Sequence, residues 1–267
     1  MPDNSRATGG RGFDPTTPNV ARVYDYMLGG KDNFAADRQL GDQLLAAFPD
    51  SALIARQNRS FLGRAVHYCA EQGISQFLDL GSGLPTMDNV HEVARRVIPD
   101  AAVVYVDNDP VALSHAQALL ATSDGVASIL GDVREPRKIL ADVEARGLID
   151  LGQPTVILMV AILHFIAGKE DPAGIVAAFR DAMPAGSYLV LSHATHDVRP
   201  EESARARSMY RGASSPLVTR SRDEIAAFFA GFELVDPGLV FTTQWRPPEP
   251  GPLSEQRDIY AGVARKP

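Results

Sequence analysis

From residue 76 onward the chain alternates short apolar runs with stretches of helical character, and few folds accommodate that rhythm. The runs cover 76–80, 102–106, 126–130, 155–161 and 187–191, and the stretches between them cover about 88–98, 110–121, 136–146 and 172–183. The runs are nearly continuous in apolar residues, as strands buried on both faces must be. Strands separated by helical crossovers pair in parallel. The reading is therefore α/β: a doubly wound, mostly parallel sheet with helices on both faces. Pro110, Pro136 and Pro172 each stand where a first helical turn should begin, preceded by Asp109, Glu135 and Asp171.

The segment before the sheet reads differently. Val20, Val23, Tyr24, Met27 and Leu28 recur at helical spacing, and Gly29-Gly30 ends that helix. A second helix is expected over about 35–48. A third starts at Ser51, a suitable N-cap, and ends at Gly73. The expected organisation is a flexible arm over 1–17, an N-terminal helical lid over 18–73, and the sheet domain over 74–267. In the last third, helices are expected over 200–211 and from Ser221, which opens a capping-box pattern with Glu224. The runs 232–235 and 257–264, separated by the turn Asp236-Pro237-Gly238, predict closing strands, one of them antiparallel. Residues 247–252 read as a stiff proline loop.

Composition removes several functions. The 267 residues carry 26 basic and 33 acidic side chains, a net charge of −7, which opposes a nonspecific nucleic-acid binder. Cys69 is the sole cysteine, so the chain has neither an internal disulfide nor a cysteine-built zinc cage. No apolar run approaches the roughly 18–20 residues of a membrane helix. The polar, glycine-rich start lacks the apolar core of a secretory signal, so the expected location is cytoplasmic. The sequence carries no mark of an oligomeric state.

Three turns hold the chemistry. Asp79-Leu80-Gly81-Ser82-Gly83 ends the first strand, and glycines there let a ligand approach the backbone. The pattern continues to Thr86, where a dinucleotide loop would have its third glycine, which weakens a nicotinamide-cofactor reading. An ordinary βα turn is the plainer alternative. Asp107 ends the second strand 24 residues after Gly83, near the interval of about 20 expected of a ribose-binding acid. Asp109, just before Pro110, reads better as a helix cap. Gly131-Asp132-Val133 follows the third strand; Asp132 could accept from an exocyclic amine, or could cap its own turn.

Taken together, D-x-G-S-G, then the acid ending strand two, then G-D-V, closely resembles class I S-adenosylmethionine-dependent methyltransferases. The resemblance covers about 74–265 and implies a seven-stranded Rossmann-like sheet with its last strand antiparallel. It implies S-adenosyl-L-methionine as cofactor. Asp79, Gly81, Ser82 and Gly83 would hold its methionine part, Asp107 its ribose, and Asn108, Asp132 and Val133 its adenine. Residues 18–34, with Asn58-Arg59 and Phe61-Leu62, are similar to a bacterial family of predicted methyltransferases with unassigned substrate. The resemblance suggests that this segment lids the cofactor, with Tyr24, Gly30, Asn33 and Arg59 as further binding candidates. A helix C-cap with surface polar residues is the alternative.

After the fourth strand, Ala161-Ile162-Leu163-His164-Phe165 stands where the family's loop faces the reacting methyl, and Ala161 is counted with the cofactor residues. The loop is not the N/D-P-P-Y form of amino-group DNA methyltransferases. It lacks the cysteine that base-carbon methylation would need. His164 is a candidate general base, since imidazole titrates near pH 6.5; a packed histidine is the blander alternative. His193 and Tyr210 are candidate substrate contacts. His193 and His196 invite a metal, but no third remote ligand accompanies them, and none is expected. The expected function is methyl transfer to O or N of a small-molecule acceptor. A regulatory protein that binds the cofactor without turnover is the alternative.

Overall fold

Three parallel pairings fix the centre of the sheet. β1 (Gln76–Leu80) lies between β2 (Ala102–Asp107) and β4 (Val156–Val160), and β3 (Val126–Leu130) pairs with β2. The computed structural model describes residues 14–85, 88–120, 124–147, 149–248 and 257–267. Positions 1–13 of the expected arm, Thr86 of the glycine turn and 249–252 of the proline loop lie outside the described residues. β5 (Tyr188–Ala194) extends the sheet in parallel beside β4, and β8 (Ile259–Arg265) closes it antiparallel to β5.

The described strands number eight, in the order β3-β2-β1-β4-β5-β8-β6, with β7 also on β8. β6 (Glu233–Leu234) pairs with Arg265 and Ala264, and β7 (Val240–Phe241) pairs with Ala261 and Tyr260. The two short strands run along one edge of β8, interrupted by the Asp236-Pro237-Gly238 turn. They fill one sheet position between them, so the mostly parallel, doubly wound architecture with an antiparallel closing strand stands.

Alternation along each strand separates two cores. Leu78, Leu80, Val104, Val106, Ile157 and Met159 face α6 (Pro136–Arg146) and α7 (Pro172–Ala182), which contribute Ile139, Val143, Ile175 and Phe179. Phe77, Val103, Tyr105, Val156 and Leu158 face the other way, onto α4 (Val90–Arg95) and α3 (Ser51–Glu71). α3 presents Phe61, Leu62, Ala65, Val66 and Cys69 to the sheet, so it belongs to the sheet's helix layer. The expected boundary at residue 73 therefore marks no break in packing. Trp245 is fully buried in the same core, edge-on to Phe61 at 5.5 Å between ring centroids.

α1 (Val20–Leu28) and α2 (Ala35–Ala47) form a smaller layer, in which Val23, Leu40 and Leu44 meet Tyr210 just past α8 (Pro200–Met209). Asn19 caps α1 and Gly29 ends it in the left-handed conformation, at φ 87°. Proline opens α5 (Pro110–Leu120), α6 and α7 as anticipated. Ser221 and Glu224 form the expected capping box at α9 (Arg222–Ala226). No helix among the described residues is long and apolar enough to cross a membrane.

Candidate functional site

Strand order reverses between β2-β1 and β4, and open α/β sheets bind ligands outside the carboxyl ends of the strands at such a point. A cavity of about 780 Å³ lies there, lined by the turns after β1, β2, β3 and β4 and roofed in part by α1. Of the residues singled out in the sequence, Tyr24, Arg59, Asp79, Gly81, Ser82, Gly83, Asp107, Asn108, Asp132, Val133 and Ala161 all line it.

The glycine turn is pinned to β2. The Gly81 and Ser82 amides both donate to the Val106 carbonyl, at 2.8 and 3.1 Å. Gly81 has φ 70°, and a Cβ there would sit 2.6 Å from Ile162 Cδ1, so no other residue fits without displacing the wall. Asp107 Oδ2 accepts from the Gly83 amide and its Oδ1 from the Asp109 amide, each at 2.8 Å. A carboxylate has about four acceptor positions, which leaves capacity for ligand hydroxyls. Burial, against those hydrogen bonds, pushes Asp107 up to about 6. Asp79 is pushed up to about 7, by burial first and then by Asp107, against the nearby Arg59 charge. Two buried carboxylates, one of them with acceptor capacity to spare, suit a ligand that brings hydroxyl and ammonium groups.

At the next turn, Asp132 serves two ends at once. Its Oδ1 accepts from the Arg134 amide at 3.0 Å, the turn-capping role, while the residue lines the cavity. Arg134, which the sequence reading missed, also grips Asp132 with Nη1 at 3.1 Å and Glu170 with Nε at 2.8 Å, and donates to the Phe165 carbonyl. It ties the turn after β3 to the turn after β4. Its position two residues after Asp132 was the available signal. Asp109 caps α5 through the Val111 amide, as read, and also accepts from Arg22.

The roof is joined to the sheet by a buried chain of hydrogen bonds. The Ala161 amide donates to Ser192 Oγ (3.0 Å), Ser192 Oγ to Asn58 Oδ1 (2.7 Å), Asn58 Nδ2 to Tyr24 Oη (3.1 Å), and Tyr24 Oη to the Ala55 carbonyl (3.0 Å). Ala161 itself sits at φ 58°, a strained conformation for a residue with a Cβ, at the mouth of β4. Arg22 pairs with Asp37 at 2.9 Å and Asp109 at 3.2 Å, all three buried. The Ser214 amide donates to the Pro18 carbonyl and its Oγ accepts from the Val20 amide, which closes the roof against the segment after α8.

Five expected site residues do not line the cavity. His164 is buried, its Nδ1 accepts from the Ala194 amide, and burial with the Arg220 charge lowers it to about 3. A ring so placed, turned to Ala194 and off the cavity wall, is a poor proton acceptor for a ligand there, against the general-base expectation. His193 is fully buried between Arg220, which donates to its Nε2 at 2.7 Å, and the Ala194 carbonyl, to which its Nδ1 donates. His196 turns elsewhere, to Thr219. Tyr210 packs against Val23, Leu40 and Leu44 rather than toward a substrate. Gly30 and Asn33 lie behind the wall, against Asp25. Among the described residues, no group of three or more histidines, cysteines or carboxylates is placed to hold a metal.

Residues 6–267 match a family model described as S-adenosyl methyltransferase. A DUF574 family protein from Streptomyces avermitilis is similar at 39% identity and a TM-score of 0.89, over 94% of this chain and 98% of that one. A candidate methyltransferase from Thermobifida fusca is similar at 43% identity and a TM-score of 0.89, over 94% and 96%. The N-methyltransferase NodS from Bradyrhizobium japonicum, in complex with S-adenosyl-L-homocysteine, shares the fold at 13% identity and a TM-score of 0.51, over 92% and 99%. A search of the curated proteins returns no match.

Proposed function

Because the chain belongs to the S-adenosyl methyltransferase family, and is thus an S-adenosylmethionine-dependent methyltransferase, we propose that it methylates an oxygen or nitrogen of a small-molecule acceptor by in-line displacement. The observation that carries this reading is the convergence of the turns after β1, β2 and β3 on one cavity, with Asp79, Asp107 and Asp132 all in its wall. When bound, S-adenosylmethionine supplies an activated methyl on a sulfonium sulfur.

The residues fit that group. Gly81 and Gly83, both at positive φ, expose backbone beside Asp79 for the methionine part. Asp107 has spare acceptor positions for the ribose hydroxyls. Asn108, Asp132 and the Val133 amide would meet the adenine. Arg59 brings donors from the helical side, Tyr24, whose hydroxyl hydrogen is held by the Ala55 carbonyl, lends its ring to the wall, and Ala161 sets the wall after β4. The protein's task is then alignment and exclusion of water, worth up to about 7–11 kcal/mol in well-oriented cases. The cavity of about 780 Å³ that would hold the cofactor lies within the size range of small-molecule sites.

Titration calorimetry with S-adenosylhomocysteine tests the site. Asp107→Asn should weaken binding by tenfold or more, about 1.4 kcal/mol. Absence of binding to the wild-type chain, or an unchanged affinity in the variant, would remove the basis for the assignment. Transfer of labelled methyl to alcohols, phenols and amines then sorts the acceptor atom.

A further inference from the structure

The turn Gly29-Gly30-Lys31-Asp32-Asn33 does not reach the cofactor turns; it holds a carboxylate. Asp25, on the α1 face that lines the cavity, is only 3% exposed. Its Oδ2 accepts from the Asp32 amide at 3.1 Å and from Asn33 Nδ2 at 2.9 Å. Asn33 Nδ2 is itself fixed by the Gly30 carbonyl at 3.0 Å, and the Gly30 amide donates to the Asp25 carbonyl at 2.9 Å. A Cβ on residue 30 would lie 1.9 Å from Asp25 Oδ1. Glycine is thus required to leave the carboxylate its place.

No lysine or arginine pairs with Asp25 among the described residues, in contrast with Asp37, Asp109 and Asp132. Asp37 and Asp109 share Arg22, and Asp132 has Arg134. His115 sits on Asp32 at 3.4 Å. Burial, with the neighbouring Asp32 charge, raises the Asp25 carboxyl above its ordinary value, against the two hydrogen bonds and the His115 charge. A buried anion held by a dedicated turn, with no ion-pair partner of its own, is costly unless a ligand completes it.

We infer that Asp25 recognises an ammonium group of a ligand bound in the cavity, an inference that rests on the cavity being the methyl-transfer site. Two ligands carry that group: the methionine portion of the cofactor, and an amine acceptor. Calorimetry on the full chain with S-adenosylhomocysteine, and with 5′-methylthioadenosine, which lacks the amino-acid carbons, separates the first source. In Asp25→Asn the affinity for S-adenosylhomocysteine should fall about tenfold, with 5′-methylthioadenosine unmoved, if the cofactor supplies the ammonium. If the acceptor supplies it, S-adenosylhomocysteine binding stays constant. The wild-type protein saturated with S-adenosylhomocysteine is then stabilised more by benzylamine than by benzyl alcohol in a thermal melt, and Asp25→Asn erases that preference.

Equal weakening of both nucleosides, or no change in either arm, overturns the inference. Should Asp25→Asn fail to fold, Asn33→Ala, which removes one tether and keeps the charge, must weaken the same arm by a smaller factor; no effect there overturns it too. Failure of the wild-type chain to bind S-adenosylhomocysteine would instead sink the methyltransfer site itself.

Discussion

Asp79 and Asp107 set the pH behaviour of the ligand-free protein. Both carboxyls are held above the ordinary value of 3.8, to about 7 and about 6. Between 3.8 and about 7 the folded chain therefore holds protons that the unfolded chain has lost, and this pair makes stability fall as pH rises through that window. His164 acts in the opposite sense. Its folded-state value, about 3, lies below the 6.5 of the unfolded chain, so its share of stability is lost as pH falls through that interval. The two effects overlap, and the wild-type profile alone cannot separate them. The difference between wild type and Asp79→Asn can. The variant should gain about 1–2 kcal/mol at pH 8, where the buried charge is fully present, and little at pH 4. Urea unfolding at the two pH values measures it; a gain independent of pH would contradict the assignment. The same variant should bind S-adenosylhomocysteine more weakly, the usual exchange of stability for function at a strained site.

At the scale of elements, α1 and α2 are held by polar bonds as much as by apolar burial. Beyond Val23, Leu40, Leu44 and Tyr210 their layer has few large buried side chains. Asp37, at the start of α2, accepts from the Asn19 and Phe34 amides as well as from Arg22. Arg22→Ala would leave Asp37 and Asp109 buried without their cation, at a cost of about 3–5 kcal/mol. Because the two sheet cores contain no α1 or α2 residue, the loss should appear as fast amide exchange confined to α1, α2 and the start of α5, with the β1–β5 amides still protected. Uniform loss of protection would show the layer to be integral to the sheet. The physical reason this arrangement was not legible in the sequence is distance along the chain: Arg22 meets a partner 87 residues away, and no local pattern encodes that. The glycine turn, the acid ending β2 and the Gly131-Asp132-Val133 turn were legible because each is a short strand-to-helix junction whose residue types follow from local backbone needs. His164 misled because position after β4 was readable and side-chain direction was not; the ring turns inward to Ala194.

Across the whole molecule, the cavity is bounded by parts of the chain that the sheet alone would not bring together. The floor comes from strand ends, fixed by parallel pairing. The roof comes from α1 and the 213–215 segment, which meet through the Ser214 bonds to Pro18 and Val20. The fold class followed from strand rhythm, but the roof did not, since its residues lie 194 positions apart in one contact. A roof held by polar bonds over few large buried apolar side chains opens at lower free energy than core strands do. Ligand bound beneath it stabilises the closed form by about 2.7 kcal/mol at a hundredfold excess over Kd. Amides of residues 20–28 and 213–215 should accordingly slow by up to about a hundredfold when S-adenosylhomocysteine saturates the protein. Amides of β1 and β4, which exchange only through global unfolding, should slow by no more than the same factor. If the roof amides exchange at the same rate with and without ligand, the helices do not cover the bound cofactor, and the bonds at Ser214 hold the fold together without gating the site.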